Sequence, residues 1–155
     1  MAGWTCVEEI IAYQRSVELR DMVLALIDSG QIPHNFHLRD QIAAAARSVP
    51  ANIAEGFDRY KHGQFGYHVG VAKGSLGELK THLGEAVKRG FVSQNVFTSL
   101  LKRIEETRRL TSGLLRHLGT TDAPTPWQDP KTLQHDSERP VTVPNVSETK
   151  KPSQA

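Results

Sequence analysis

Apolar residues recur at helical spacing in four blocks, each closed by a turn. Ile10, Ile11, Val17, Val23, Leu24 and Ile27 form the first set, and Gly30 suits the left-handed residue after a helix end. Thr5-Cys6-Val7-Glu8 fits a capping box, so this helix is expected to begin at Thr5. Gln31 to Asn35, with Pro33, reads as a short connection. A second helix is expected from His37 to Tyr60, carried by the strong helix formers Ala43 to Ala46. Pro50 falls inside it and predicts a kink or a local break, because proline lacks a backbone donor. A third helix, from Gln64 to Arg89, carries the stripe Phe65, Val69, Ala72, Leu76, Leu79, Leu83 and Val87, and Gly90 ends it. The fourth opens at the N-cap Ser93, buries Val96, Phe97, Leu100, Leu101, Ile104, Leu114, Leu115 and Leu118, and stops at Gly119. No segment alternates as a half-buried strand would, and no Asn-Gly or Asp-Gly hairpin turn occurs.

Three of these helices are about 25 residues, or ~37 Å, long. Short connections between long helices favour antiparallel neighbours, so the fold class is all-α, an antiparallel up-down four-helix bundle. The pattern stops after Gly119. All twelve glycines lie in residues 1–119, whereas six of the eight prolines lie in 120–155. The chain of 155 residues therefore reads as a helical domain over 1–119 and a disordered, Pro-rich polar tail over 120–155. Trp127 stands between prolines in that tail, as a short docking motif or a lone aromatic in a linker.

Charge changes the picture modestly. Residues 1–119 hold 15 Lys/Arg against 12 Asp/Glu, a balance of +3, and the tail holds 4 against 5. Such a balance permits nucleic-acid binding without requiring it. No apolar run approaches the ~20 residues that span a bilayer, so no membrane partner is expected. The start of the chain lacks the basic and apolar regions of a secretory signal, and the chain reads as cytoplasmic. One cysteine, Cys6, excludes an internal disulfide and a multi-cysteine zinc site.

Two segments carry a resemblance. They are Gln41-Ile42 with Ser48-Val49-Pro50-Ala51-Asn52-Ile53-Ala54-Glu55-Gly56-Phe57 and Arg59, and then Gly74-Ser75-Leu76 with Glu78-Leu79. Together they resemble the bacterial four-helix-bundle family that includes the 23S ribosomal RNA intervening-sequence proteins. The accessory variability determinant of diversity-generating retroelements is similar to that family. The resemblance spans about residues 10–118. It implies a ring-shaped homopentamer without catalytic activity. In the retroelement branch it implies a ring that binds a reverse transcriptase and nucleic acid. One departure stands out: the two arginines usual after Gln-Ile are Ala43 and Ala44 here, and Arg47 appears instead. Any basic surface built on that pair is weaker or relocated. Asn52 and Glu55 also have a reading of their own. They sit one turn apart after Pro50, where they can bond the broken turn and a facing helix, or hold a ligand directly.

Candidate chemistry is sparse. His34 and His37 lack the partners of a zinc site, and exposure explains His62 and His68. Gly70 to Ser75 lies within a helix and not after a strand, against a phosphate loop. Cys6 has no evident base, and Ser75, Glu78 and His82 share one helix where a triad needs convergence from several elements. No catalytic residue, metal or cofactor is expected.

Gly66, Gly70, Gly74, Gly77 and Gly84 fall on one side of the third helix. Each costs roughly 1 kcal/mol relative to alanine, which calls for a compensating contact. Packing of another subunit on Gly66, Gly70, Gly77 and Gly84, close approach of a phosphate backbone, or simple tolerance of glycine would explain them. Lys73 and Lys80 border this side, and Lys88 lies on it. On the fourth helix Lys102, Arg109 and Arg116 lie away from the leucines, with Glu105 four before Arg109 and Glu106 four after Lys102 expected to neutralise them in part. These six cations are the candidate nucleic-acid contacts. Asn52, Glu55, Gly56, Gly74, Ser75 and Glu78 are the candidate structural motif.

The function expected is therefore a noncatalytic accessory protein that self-associates, as a pentamer on the resemblance. It binds RNA or DNA and partners a reverse transcriptase. The competing expectations are an RNA-binding protein tied to 23S rRNA intervening sequences and a protein-only oligomeric scaffold.

Overall fold

Four helices form close to where the pattern places them. The structure is a computed structural model and describes residues 3–34, 37–59 and 62–119. A 3-10 turn, Val7–Glu9, precedes α1 (Ile11–Asp28), α2 (His37–Asp58), α3 (His62–Lys88) and α4 (Gln94–His117), and no strand occurs among the described residues. Each helix packs on its neighbours in chain order, and α4 closes back on α1. Facing positions run in opposite directions. Ser48 meets Ser75 and Asn52 meets His68, while Lys80 meets Glu105 and Arg15 meets Glu106. The helices are thus antiparallel neighbours around one core, a four-helix up-down arrangement.

The core is aliphatic. Leu19, Val23 and Ile27 of α1 meet Ile42, Val49 and Ile53 of α2, and the centre is filled by Val69, Leu76, Leu79 and Leu83 of α3 with Leu100 and Ile104 of α4. Fully burying each such side chain stabilises the fold by about 1.5–3 kcal/mol. Thr107 and Thr111 are also buried, and each hydroxyl donates to the carbonyl one turn back, at 2.8 Å, so neither is left without an acceptor.

The helix ends follow local chemistry. The Ser93 hydroxyl accepts from the Val96 amide at 3.3 Å. Gly30, Gly90 and Gly119 adopt φ of 77°, 76° and 73°, where a side chain would be strained. Three expectations are corrected. The first helix does not start at Thr5. Its amide and hydroxyl engage Glu9, not Glu8, at 2.8 Å each, across the 3-10 turn, and extended Ile10 separates that turn from α1. This offset places Ile10 in the core and leaves Ile11 57% exposed. Third, of the kink or local break expected at Pro50 the break does not form: helical structure continues through it, and Pro50 is buried.

Contacts group Met1–Asp122 as one unit and Ala123–Ala155 as another. The expected tail, residues 120–155 with Trp127, lies outside the described residues.

Candidate functional site

The seam between α2 and α3 absorbs much of the motif. A Cβ on Gly56 would lie 2.8 Å from both His68 Cβ and Phe65 Cδ2, and 3.2 Å from the Phe65 carbonyl oxygen. Only glycine fits, because the crowding includes backbone. Further along the seam Asn52 Nδ2 donates to the Ser48 carbonyl at 2.8 Å and to its hydroxyl at 2.9 Å. The Ser48 and Ser75 hydroxyls are 2.9 Å apart, and Ser75 donates to the Val71 carbonyl at 3.2 Å. One proton order satisfies the whole chain: Asn52 to Ser48, Ser48 to Ser75, Ser75 to Val71. Asn52 therefore does not serve the Ala46 carbonyl that Pro50 leaves without its usual donor. It doubles the bond to Ser48 and ties α2 to α3.

His68 joins the same seam. Its Nδ1 lies 3.4 Å from Asn52 Oδ1 and 3.8 Å from a Glu55 carboxylate oxygen, and its side chain is only 12% exposed. The expectation of an exposed His68 is corrected: α3 turns this position toward α2. Glu55 also pairs with Arg59 one turn on. Gly74 and Glu78 are exposed and stand outside this network. His34 and His37 are exposed, and among the described residues no three His, Cys, Asp or Glu side chains gather as a metal site would require.

The glycines of α3 do not form one uniform face. A Cβ on Gly70, Gly74 or Gly77 would meet nothing within 4 Å, whereas Gly66 is buried and Gly84 lies 4.0 Å from the Phe97 ring of α4. Gly66 is thus buried and Gly84 partly buried, at the edge of contact with α4. The open stretch is Gly70 to Gly77, and beside it Tyr67 is 69% exposed.

The six cations also differ from one another. Lys80 reaches across to Glu105 at 3.3 Å, and Lys73 is partly buried with a contact of its own. Arg116, also engaged, and Lys88 are exposed near the C-terminal ends of their helices. On α4 the expected i,i+4 pairs do not form. Glu105 pairs with Arg108 at 2.9 Å and with Lys80, and Glu106 pairs with Arg103 at 3.2 Å and with Arg15 of α1 at 3.7 Å. Both carboxylates turn to cations three residues away or across the helix interface. Hydrogen bonding from Arg108, then from Lys80, holds the Glu105 carboxyl below its ordinary value of 4.5. Lys102 and Arg109 consequently keep no acidic partner among the described residues. They border a shallow depression of about 660 Å³ together with Thr98, Leu101 and the already engaged carboxylates Glu105 and Glu106.

A groove of about 400 Å³ between α1 and α2 had no clear sequence signal. Tyr13 and Leu24 wall it on α1, and Arg47, Pro50, Ala51 and Ala54 line it on α2. Arg20 and Asp21 also reach it, paired with each other at 2.8 Å. It opens because α2 presents only small side chains over one stretch. In a smaller pocket of about 150 Å³ that shares Leu24 and Arg47, Arg39 is a neighbour of Asp28 and Asp40. The Arg39 Nε is buried there without a hydrogen-bond partner among the described residues.

Residues 8–113 match the family described as 23S rRNA-intervening sequence protein. No curated protein matches the chain. Among solved structures, it is similar to the crystal structure of a protein with unknown function from the S23 ribosomal protein family of Bacteroides thetaiotaomicron. The TM-score is 0.64 at 17% identity, over 68% of this chain and 99% of that one. At that identity the likeness shows a shared fold.

Proposed function

The chain belongs to the 23S rRNA-intervening sequence protein family, and from that premise we propose that it is a noncatalytic, homo-oligomeric RNA-binding accessory protein of the cytoplasm. The observation that carries this reading is the state of α4. Its carboxylates are engaged by Arg103, Arg108, Lys80 and Arg15, while Lys102 and Arg109 remain exposed and unpaired two turns apart. Two such cations suit successive contacts to a phosphate backbone and carry no base readout. The helical domain, with a balance of +3 in a chain of +2, attracts RNA weakly. In the ring of five that the resemblance implies, the five helical domains together carry about +15, and the field sums over the copies. In the retroelement form of this proposal the same ring also holds a reverse transcriptase.

The test is binding of the purified protein to unrelated RNA sequences across a salt series. Binding should be similar among sequences and should fall steeply with salt, because neutralised phosphates release counterions. Lys102→Gln with Arg109→Gln should weaken every sequence alike and lower the salt slope by about one per lost contact. A protein that retains no RNA at low salt would leave the protein-only scaffold as the better account.

A further inference from the structure

The groove between α1 and α2 lies away from the α4 cations and takes no part in the reading above. Its chemistry is specific. One wall carries an aromatic ring, Tyr13. The opposite side carries a guanidinium, Arg47, that is exposed and has no ion pair among the described residues. The rest of the lining, Leu24 on α1 with Pro50, Ala51 and Ala54 on α2, is small or apolar throughout. The other charges in the groove cancel, since Asp21 is held by Arg20 at 2.8 Å. The unspent charge is therefore a single cation at one end of an apolar slot with an aromatic wall. With a volume of about 400 Å³ it is an open surface groove, like the α4 depression, and not an enclosed pocket.

We propose that this groove takes one unstacked nucleotide of a single strand, its phosphate on Arg47 and its base against Tyr13. An arginine fork matches phosphate oxygens, and an aromatic face accepts any base. The order of groups along the groove sets the polarity of the fit. Beyond Arg47 the adjoining pocket sets Asp28 and Asp40 against the single cation Arg39, a negative balance that disfavours a second phosphate there. The base must therefore point the other way, over Ala51 and Ala54 toward Tyr13. A duplex cannot enter, because its bases are stacked and its backbone alone is exposed. This inference rests on the RNA-binding reading but assigns a different surface and a different substrate form: the α4 cations hold any backbone, and the groove selects unpaired strand.

The experiment compares a single-stranded oligouridylate with an RNA duplex of equal length, each titrated with the full-length protein. Tyr13→Leu should weaken the single strand at least about fivefold, the low end of what one lost base stack costs, and leave the duplex unchanged. Arg47→Gln should lower the single-strand salt slope by about 0.7. Tyr13 also packs against the core, so Ala54→Leu, which fills the groove from a partly exposed position, serves as a second variant. It should reproduce the selective loss with the helical signal intact. Equal loss on both RNAs, or no loss on either, overturns the groove while wild-type binding upholds the general reading. Wild-type protein that binds neither RNA at low salt overturns both. Competition by free uridine monophosphate at concentrations comparable to the oligonucleotide's would show a free-nucleotide site and overturn the strand assignment.

Discussion

At Gly56 the absence of a side chain sets how closely α2 approaches α3. The positions a Cβ would occupy are already taken by His68, the Phe65 ring and the Phe65 carbonyl. Gly56→Ala should therefore force the helices apart despite the better helix propensity of alanine, which is worth about 1 kcal/mol. Overpacking of this kind costs about 1–3 kcal/mol, so the net effect should be a lower melting temperature. An unchanged or raised melting temperature would mean that α3 shifts freely. The neighbouring polar chain has a different logic. Asn52, Ser48 and Ser75 satisfy one another in a part-buried seam, which makes each partner costly to remove singly. The motif that carries the family resemblance thus works first as a helix clamp.

Between α3 and α4 the tie is electrostatic. Glu105 is held by Arg108 on its own helix and by Lys80 across the interface, and its carboxyl lies below the ordinary 4.5. A depressed carboxyl contributes stability that is present above the unfolded value and is lost as pH falls through the folded one. The melting temperatures of wild type and Glu105→Gln should therefore differ at neutral pH and converge on acidification below 4.5. The difference is small, because these side chains are exposed. A gap that stays constant with pH would remove Glu105 as its cause. These elements also show where the sequence is legible. The α3 stripe and the Ser93 cap follow from spacing and hydroxyl chemistry alone, and all the core leucines of α3 are where periodicity puts them. The start of α1 does not follow from the capping pattern, because Thr5 has two glutamates close in sequence and the turn geometry selects Glu9. The partners of Glu105 and Glu106 do not follow from intrahelical spacing, which ignores Lys80 and Arg15 on neighbouring helices. The α1/α2 groove was invisible because it is defined by side chains too small to reach across, on two segments more than twenty residues apart in sequence.

For the assembly, the open stretch of α3 makes an opposed pair of expectations. Within one chain, side chains at Gly70 and Gly77 would meet nothing, so the fold itself gives no reason for glycine there. Replacing each by a helix former should then stabilise the isolated bundle by roughly 1 kcal/mol. If another copy packs on this stretch, the same replacements push two backbones apart. Gly70→Leu with Gly77→Leu should accordingly raise helical stability in dilute protein while light scattering shows a smaller species. The core stripe is untouched, since Leu76, Leu79 and Leu83 point the other way into the bundle. Loss of the oligomer should carry RNA affinity down with it, because a single subunit offers only its own Lys102 and Arg109 in place of a ring of them. Salt dependence separates the two effects: a dissociated subunit should show a shallower slope for duplex and single strand alike. An oligomer that survives both leucines would assign these glycines to some contact other than subunit packing, and the interface would have to be sought on another face.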